Sequence, residues 1–241
     1  MNRGFLYGDG FFETMRIVEN QIPLVSFHLA RARKSAQLLQ MDWPEALNET
    51  LLTKMAQQAP GNIMRIDFFR AGAGQYQPES NALDYHISFR DFTDASNAFL
   101  TDVADFRNVD KRLAQLDSTP IAVYKDFYKP ILPIYSIKTS SALFYVEAGL
   151  KLKREKEADD YLLLNHKLNI AEGLSSNILI KDQGKWLCAH PNDGGVQGVY
   201  QEFLKSVLDV NEVPLTEERI RQADAAYLVN SIRGFKKVHL I

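Results

Sequence analysis

Apolar and polar positions change period several times along the chain. GFFETMRIVENQIPLV sets apolar residues on either side of the polar pair Glu19-Asn20, a pattern that predicts one strand turned back on another. In SFHLARARKSAQLL the period becomes helical, with Leu29, Ala32, Ala36 and Leu39 on one face and Ser26 as the expected N-cap. A second helix is expected over residues 45–58, with Leu47, Leu51 and Met55 facing inward and Pro60-Gly61 stopping it. NIMRIDFFRA and DYHISFRDF read as strands.

Residues 93–119 are polar and broken by charges, which suggests a connection and places a domain boundary near 115: a smaller N-terminal domain over 1–115 and a second over 116–241. Beyond it, PIAVYKDF reads as a strand and SSALFYVEAGLKLKREKEA as a long helix whose charged end, KLKREKE, is a solvated face. DDYLLLN, SNILIKD and KWLCAH are short strands, GVYQEFLKSVLDV returns to helical spacing, and AAYLVNS and KKVHLI close the chain as strands. Strands mixed with separate helices, without a regular βαβ series, predict the α+β class.

Composition narrows the function. The 241 residues carry a net charge of -2, which offers no basic face for nucleic acid, and no apolar run is long enough to cross a bilayer. MNRGFLYGDG has neither an apolar signal core nor an Arg-rich leader, and the single cysteine, Cys188, excludes an internal disulfide, so a reducing cytoplasm is expected. Cys188 lies in the apolar KWLCAH and is expected to be a buried strand residue.

Read alone, the residues give no nucleophile triad, no metal-spaced cluster and no phosphate loop of the Walker kind. They do give Lys138, in the apolar and small-residue context PIYSIKTSSALF just before a helix, and no neighbouring lysine is expected in a comparably apolar setting. Lysines ordinarily reach water, so the alternative is a loop lysine with its head in solvent. Arg65 and Arg90 could clamp a carboxylate or simply decorate a strand surface.

Six segments, in order, resemble the class IV aminotransferase family of fold-type IV pyridoxal-phosphate (PLP) enzymes: GFLYGDGFFETMR, FHLARARKSA, IKTSSALFYVEAGLKLKREKEADDYLLLN, IAEGLSSNILI, GVQGVYQEFL and LVNSIRGFKKV. The resemblance implies two α/β layered domains with the cofactor at their interface, a small-molecule amino substrate and a homodimer. It assigns Lys138 as the Schiff-base lysine and proton carrier, and Glu172 as the carboxylate facing the pyridine nitrogen. His28 marks the register for Arg31, the phosphate ligand, with further donors from Gly198, Val199 and Tyr200 and from Ser231 and Ile232. Tyr7 and Phe12 align with positions that wall the pocket, and Arg65 is carried as a substrate contact. Alternatives stay open: an exposed turn carboxylate for Glu172, a solvated helix residue for Arg31, a strand-end hydroxyl for Ser231, and core packing for the two aromatics.

The sequence also departs from the family pattern. Relatives carry a strand pair before the GFLYGDG segment and a helix after the last strand, which are not seen here, and Tyr200-Gln201 stand where many have Thr-Arg, which would remove a hydroxyl from the phosphate shell. GDGFFET and VNSIRGF favour the lyase branch, acting on 4-amino-4-deoxychorismate, over branched-chain or D-amino acid aminotransferases. A degenerate member that binds a ligand or partner without turnover is the third alternative.

Overall fold

A computed structural model describes residues 2–93 and 98–241. The chain divides into two compact units: Met1–Thr93 with Ile137–Ala142, and Asp94–Ser136 with Leu143–Ile241. The division falls at Thr93, earlier than the charge content of residues 93–119 suggested. Sparse apolar residues in that stretch decide the matter: Leu100, Phe106, Val109 and Leu113 are buried, Phe106 packs edge-on against Phe203 at 5.6 Å, and Ala98 exchanges backbone hydrogen bonds with Phe235.

The first unit runs α1 (Arg3–Tyr7), β1 (Gly10–Arg16), α2 (Val25–Leu38), α3 (Glu49–Gln57), β2 (Ile63–Arg70) and β3 (Leu83–Arg90), with the strands antiparallel in the order β1-β2-β3. Alternation along β1 buries Phe11, Glu13 and Met15 and leaves Phe12, Thr14 and Arg16 half-buried. Phe11 and Met15 join Ile66 and Phe68 of β2 against Leu29, Ala32 and Ala36 of α2 and Leu52 and Ala56 of α3. Each large side chain buried there contributes about 1.5–3 kcal/mol of transfer free energy. Asp9 is held by Arg3 at 2.9 Å and Arg70 at 3.1 Å, so the aspartate of GDG is part of the scaffold.

Three local expectations are corrected in this unit. Glu19 and Asn20 do turn the chain, both with positive φ, but the second arm is a single bridge from Val18 to Gln21 because Pro23 cannot donate to a ladder. Ser26 lies inside α2, whose N-cap is Leu24 in the left-handed region (φ 63°). The second helix begins only at Glu49, because Asn48 caps it by accepting from the Leu51 N–H at 3.1 Å.

The second unit carries α4 (Val109–Leu113), β4 (Thr119–Lys129), α5 (Leu143–Glu155), β5 (Tyr161–Asn165), β6 (Ile170–Gly173), β7 (Asn177–Asp182), β8 (Lys185–Ala189), α6 (Val199–Val207), β9 (Val210–Val213), α7 (Glu217–Gln222), β10 (Ala225–Asn230) and β11 (Gly234–Leu240). Its eight strands form one mixed sheet in the order β6-β5-β4-β11-β10-β7-β8-β9. The near-continuous apolar runs of β5 and β7 fit strands covered on both faces. Ile121, Leu162, Ile178, Ile180, Leu187 and Leu228 form one core, while Tyr124, Ala148, Tyr161 and Leu163 form a second under α5. Cys188 is buried on β8, and burial pushes its thiol up to about 12, which keeps it an unreactive core group. The charged end of α5 is exposed from Lys153 onward. Among the described residues no helix is long and apolar enough to cross a membrane.

Candidate functional site

The residues singled out in the sequence fall into two groups, one in each unit. In the first unit Lys138 is delivered by residues 137–142, a strip that lies along the edge of β1. The Phe12 N–H donates to the Lys138 carbonyl at 2.9 Å and the Ser140 N–H to the Gly10 carbonyl at 2.9 Å. The approach needs a glycine at position 10, where a Cβ would stand 2.3 Å from the Phe68 carbonyl oxygen and 3.1 Å from Ser140 Oγ. Lys138 Nζ lies 4.5 Å from the centroid of the Phe12 ring, and the Arg65 guanidinium stacks 3.9 Å from the same centroid, so one aromatic ring carries two cations. Arg65 also pairs with Asp67 at 2.6 Å. Tyr7 is 41% exposed and packs with Arg3 and Tyr76.

Arg31 is held by a residue the sequence reading passed over. Glu13, almost fully buried on β1, accepts from Arg31 Nε at 2.7 Å and from Arg31 Nη2 at 2.7 Å, and meets His28 Nδ1 at 2.7 Å. Burial alone pushes the Glu13 carboxyl up, but the Arg31 charge and the hydrogen bonds from His28 and Arg31 outweigh it and bring it down to about 2. Burial pulls His28 the other way, below the usual histidine range, against the pull of Glu13. A neutral ring donating from Nδ1 leaves Nε2 as a bare acceptor, and Nε2 has no partner among the described residues. The Glu13 pair uses Nε and Nη2 of the Arg31 guanidinium, a donor type that also suits phosphate oxygens.

In the second unit Glu172 sits on β6, paired in register with Leu163 of β5. Its Oε1 accepts from the Tyr145 hydroxyl at 2.6 Å and from Lys129 Nζ, and its Oε2 accepts from the Val196 N–H at 3.0 Å. Tyr145 is kept protonated by burial and by the charge of Glu172, both of which raise its pKa. Lys129 overturns an expectation: at 1% exposure it is more deeply buried than the half-buried Lys138. Its charge is tolerated there because Glu172 neutralises it.

The start of α6 is uncapped by any side chain, and Gly198 at its N-cap would place a Cβ 1.8 Å from Asn177 Oδ1. The backbone of Gly198, Val199 and Tyr200 is thus a helix N-terminus of the type that receives phosphate oxygens. Tyr200 contributes only backbone there, since its ring is buried and its hydroxyl donates to the Leu100 carbonyl at 2.8 Å. Ser231 and Ile232 lie in the turn between β10 and β11, where the Ile232 N–H donates to Asn230 Oδ1 at 3.0 Å. A phosphate using that donor would compete with the asparagine. Among the described residues no three histidine, cysteine or acidic side chains group as metal ligands.

These donor types suit pyridoxal phosphate: an amine beside an aromatic ring, a guanidinium, an uncapped helix start, and a carboxylate whose Oε2 accepts a single donor and can take a second. Glu13 and Tyr145 escaped the sequence reading, which had counted Lys129 among the lysines in less apolar settings. Only Glu13 had left a signal, as a charge in phase with Phe11 and Met15 on the inward face of a strand.

Comparison with known proteins agrees with this chemistry. Among curated proteins no sequence matches. Three solved structures illustrate the fold: branched-chain amino acid aminotransferase from Escherichia coli (15% identity, TM-score 0.78, covering 100% of this chain and 79% of the other), 4-amino-4-deoxychorismate lyase from Pseudomonas aeruginosa (20%, 0.74, 99% and 85%), and a hypothetical aminotransferase from Mycobacterium tuberculosis in its PLP-bound form (18%, 0.74, 99% and 84%). At such identities the likeness establishes the fold-type IV architecture. The family described as amino-transferase class IV matches residues 10–241, so the chain belongs to that family of pyridoxal-phosphate enzymes, lyase or aminotransferase.

Proposed function

We propose that the enzyme is a 4-amino-4-deoxychorismate lyase, releasing 4-aminobenzoate and pyruvate, and that the lysine group and the Glu172 group serve one pyridoxal phosphate. The observation that carries the lyase reading is the pair of segments GDGFFET and VNSIRGF, which form β1 and the β10–β11 turn. The Arg65 guanidinium, 3.9 Å from the Phe12 ring centroid, supports it as a cation for one of the two carboxylates that this substrate carries.

In this reading Lys138 would hold the cofactor covalently and, with its amine free, would take the proton from the substrate ring carbon that bears the amino group. The neighbouring C–O bond breaks, the enolpyruvyl oxygen leaves and its fragment gains a proton to become pyruvate, and the ring becomes aromatic. Bound pyridoxal phosphate supplies the electron sink for that proton loss. Glu172 favours a protonated ring nitrogen, and Arg31, the α6 backbone and the Ser231-Ile232 turn hold the phosphate. Phe12 and Tyr7 wall the substrate and Arg65 meets a carboxylate. A cytoplasmic homodimer belongs to the same reading; the exposed stripe Leu143, Val146 and Leu150 on α5 is available for it, and sedimentation of the purified protein tests it.

The deciding experiment incubates PLP-loaded protein with 4-amino-4-deoxychorismate, and separately with branched-chain or D-amino acids plus 2-oxoglutarate. Formation of 4-aminobenzoate is expected; oxo-acid formation without it assigns an aminotransferase, and no product from either arm assigns a binding protein. Lys138→Ala is expected to abolish turnover and the borohydride-sensitive absorbance band of the cofactor. A retained band would move the covalent role to another lysine, with Lys129 the first to test.

A further inference from the structure

Lys129 has no role in the chemistry above, yet it is one of the largest fully buried side chains in the protein. Its ammonium rests on Oε1 of Glu172, 5.4 Å from the centroid of the Tyr145 ring, whose hydroxyl donates to the same oxygen. Oε1 therefore accepts from a cation and a phenol, and Oε2 from the Val196 N–H. A carboxylate oxygen offers two good acceptor directions, so Oε1 is saturated and one place remains on Oε2. The negative charge of Glu172 is already balanced within its own unit.

A cofactor that brought a protonated ring nitrogen to Glu172 would meet two obstacles. It would have to use the remaining place on Oε2, and its positive charge would approach that of Lys129. Like charges this close disfavour one another's protonated forms by one to several pKa units, each unit a factor of about 10. A lysine carries its charge on a flexible stem and makes no fixed fork, so the ammonium can be shared or displaced in a way a bidentate arginine cannot.

From this arrangement we infer that Lys129 is a positioning residue that competes with the cofactor's ring nitrogen for Glu172: it neutralises the carboxylate in the apoprotein and sets how much a protonated ring gains on binding. The inference rests on the reading that Glu172 serves the ring nitrogen. Lys129 then stabilises the cofactor-free enzyme and lowers its affinity for pyridoxal phosphate.

The test compares binding of pyridoxal phosphate with binding of its carbocyclic analogue, in which a C–H replaces the ring nitrogen, by titration of the apoprotein. In the wild type the preference for pyridoxal phosphate should be modest, under about 10-fold, because Lys129 already occupies the carboxylate. A wild-type preference of 100-fold or more overturns the inference without any variant. In Lys129→Met, and in the milder Lys129→Gln, the preference should rise by about 10-fold or more while the melting temperature of the apoprotein falls. A purely structural Lys129 would lower apo and loaded melting temperatures alike and leave the preference unchanged, which also overturns it. Glu172→Gln separates the two levels. If it leaves the preference of the wild type untouched, the placement of Glu172 at the ring nitrogen has failed; if it alters that preference but the Lys129 variants do not, the fault lies with Lys129.

Discussion

Two buried glutamates, one in each unit, are neutralised in different ways. Glu13 in the first unit is gripped by both arms of an arginine fork and by a histidine, all on one strand and one helix. Glu172 in the second is met by a lysine ammonium, a phenol and a backbone N–H, drawn from β4, α5 and the loop before α6. A planar guanidinium fixes its partner's orientation, whereas an ammonium holds charge without fixing geometry. The first arrangement is suited to keep Arg31 in place, the second to a carboxylate that changes partners. Burial is similar, at 1% for Glu13 and 4% for Glu172, so depth alone does not separate the two arrangements.

The strongest way to break that comparison is at Glu13. Glu13→Ala takes the carboxylate away from the fully buried His28 and from the partly buried Arg31 guanidinium and should lower stability by about 3–5 kcal/mol in denaturant titration. The pH dependence follows from the same carboxyl. Its folded pKa lies below the unfolded value, so its contribution is present above about 4.5 and is lost as pH falls toward about 2. The depression from 4.5 to about 2 corresponds to roughly 3 kcal/mol at 1.36 kcal/mol per unit. A wild type and a Glu13→Ala variant with parallel acid limbs would show that Glu13 is not the group responsible.

Arg31 sharpens the contrast from the cation's side. The sequence alone casts it as a phosphate ligand whose loss would spare the fold. Since it is also the fork on Glu13, Arg31→Ala should cost apoprotein stability as well as about 1.5–3 kcal/mol of cofactor affinity, roughly 10- to 150-fold. Arg31→Lys keeps the charge without the fork and should recover stability better than affinity. Equal recovery of both would argue against separate roles.

The same contrast explains what could be read in advance. Periodicity located β2, β3, α2 and α5, and short apolar runs located the strands of the second unit, whose two faces are both covered in β5 and β7. Lys138 stood out by its apolar context, and the order of the motifs added Glu172 and Arg31 as candidates. Glu13 was visible as a charge in the inward phase of β1, where only a partnered acid is tolerated. Lys129 was not, because β4 loses its alternation at the irregularity between Tyr124 and Lys129, so no phase could be counted through to it. Tyr145, seven residues after Lys138, lies on the first turn of a helix whose neighbours are set by the sheet beneath, information the local sequence does not carry. The early end of the first unit was hidden for a related reason, since four scattered apolar residues outweigh the charges around them only once their partners are known.

The smallest effect is expected at Tyr145, and it asks whether the second carboxylate is as loosely held as the comparison claims. Tyr145→Phe removes a hydroxyl that donates to Glu172 at 2.6 Å but leaves Lys129 and the Val196 N–H in place, so the loss should be about 1–2 kcal/mol, at the low end for a hydrogen bond to a charged group. The phenol's folded pKa is raised by burial and by Glu172, so its stabilisation is complete below about 10 and is lost as pH rises beyond that. Denaturation of the wild type and the variant between pH 7 and 11 should therefore show two curves that converge on the alkaline side. In a Lys129→Gln background the same substitution should cost more, because the phenol becomes the strongest donor left to Glu172. An additive double-mutant cycle would mean that the two donors act on the carboxylate independently, and the second unit's arrangement would then be as rigid as the first.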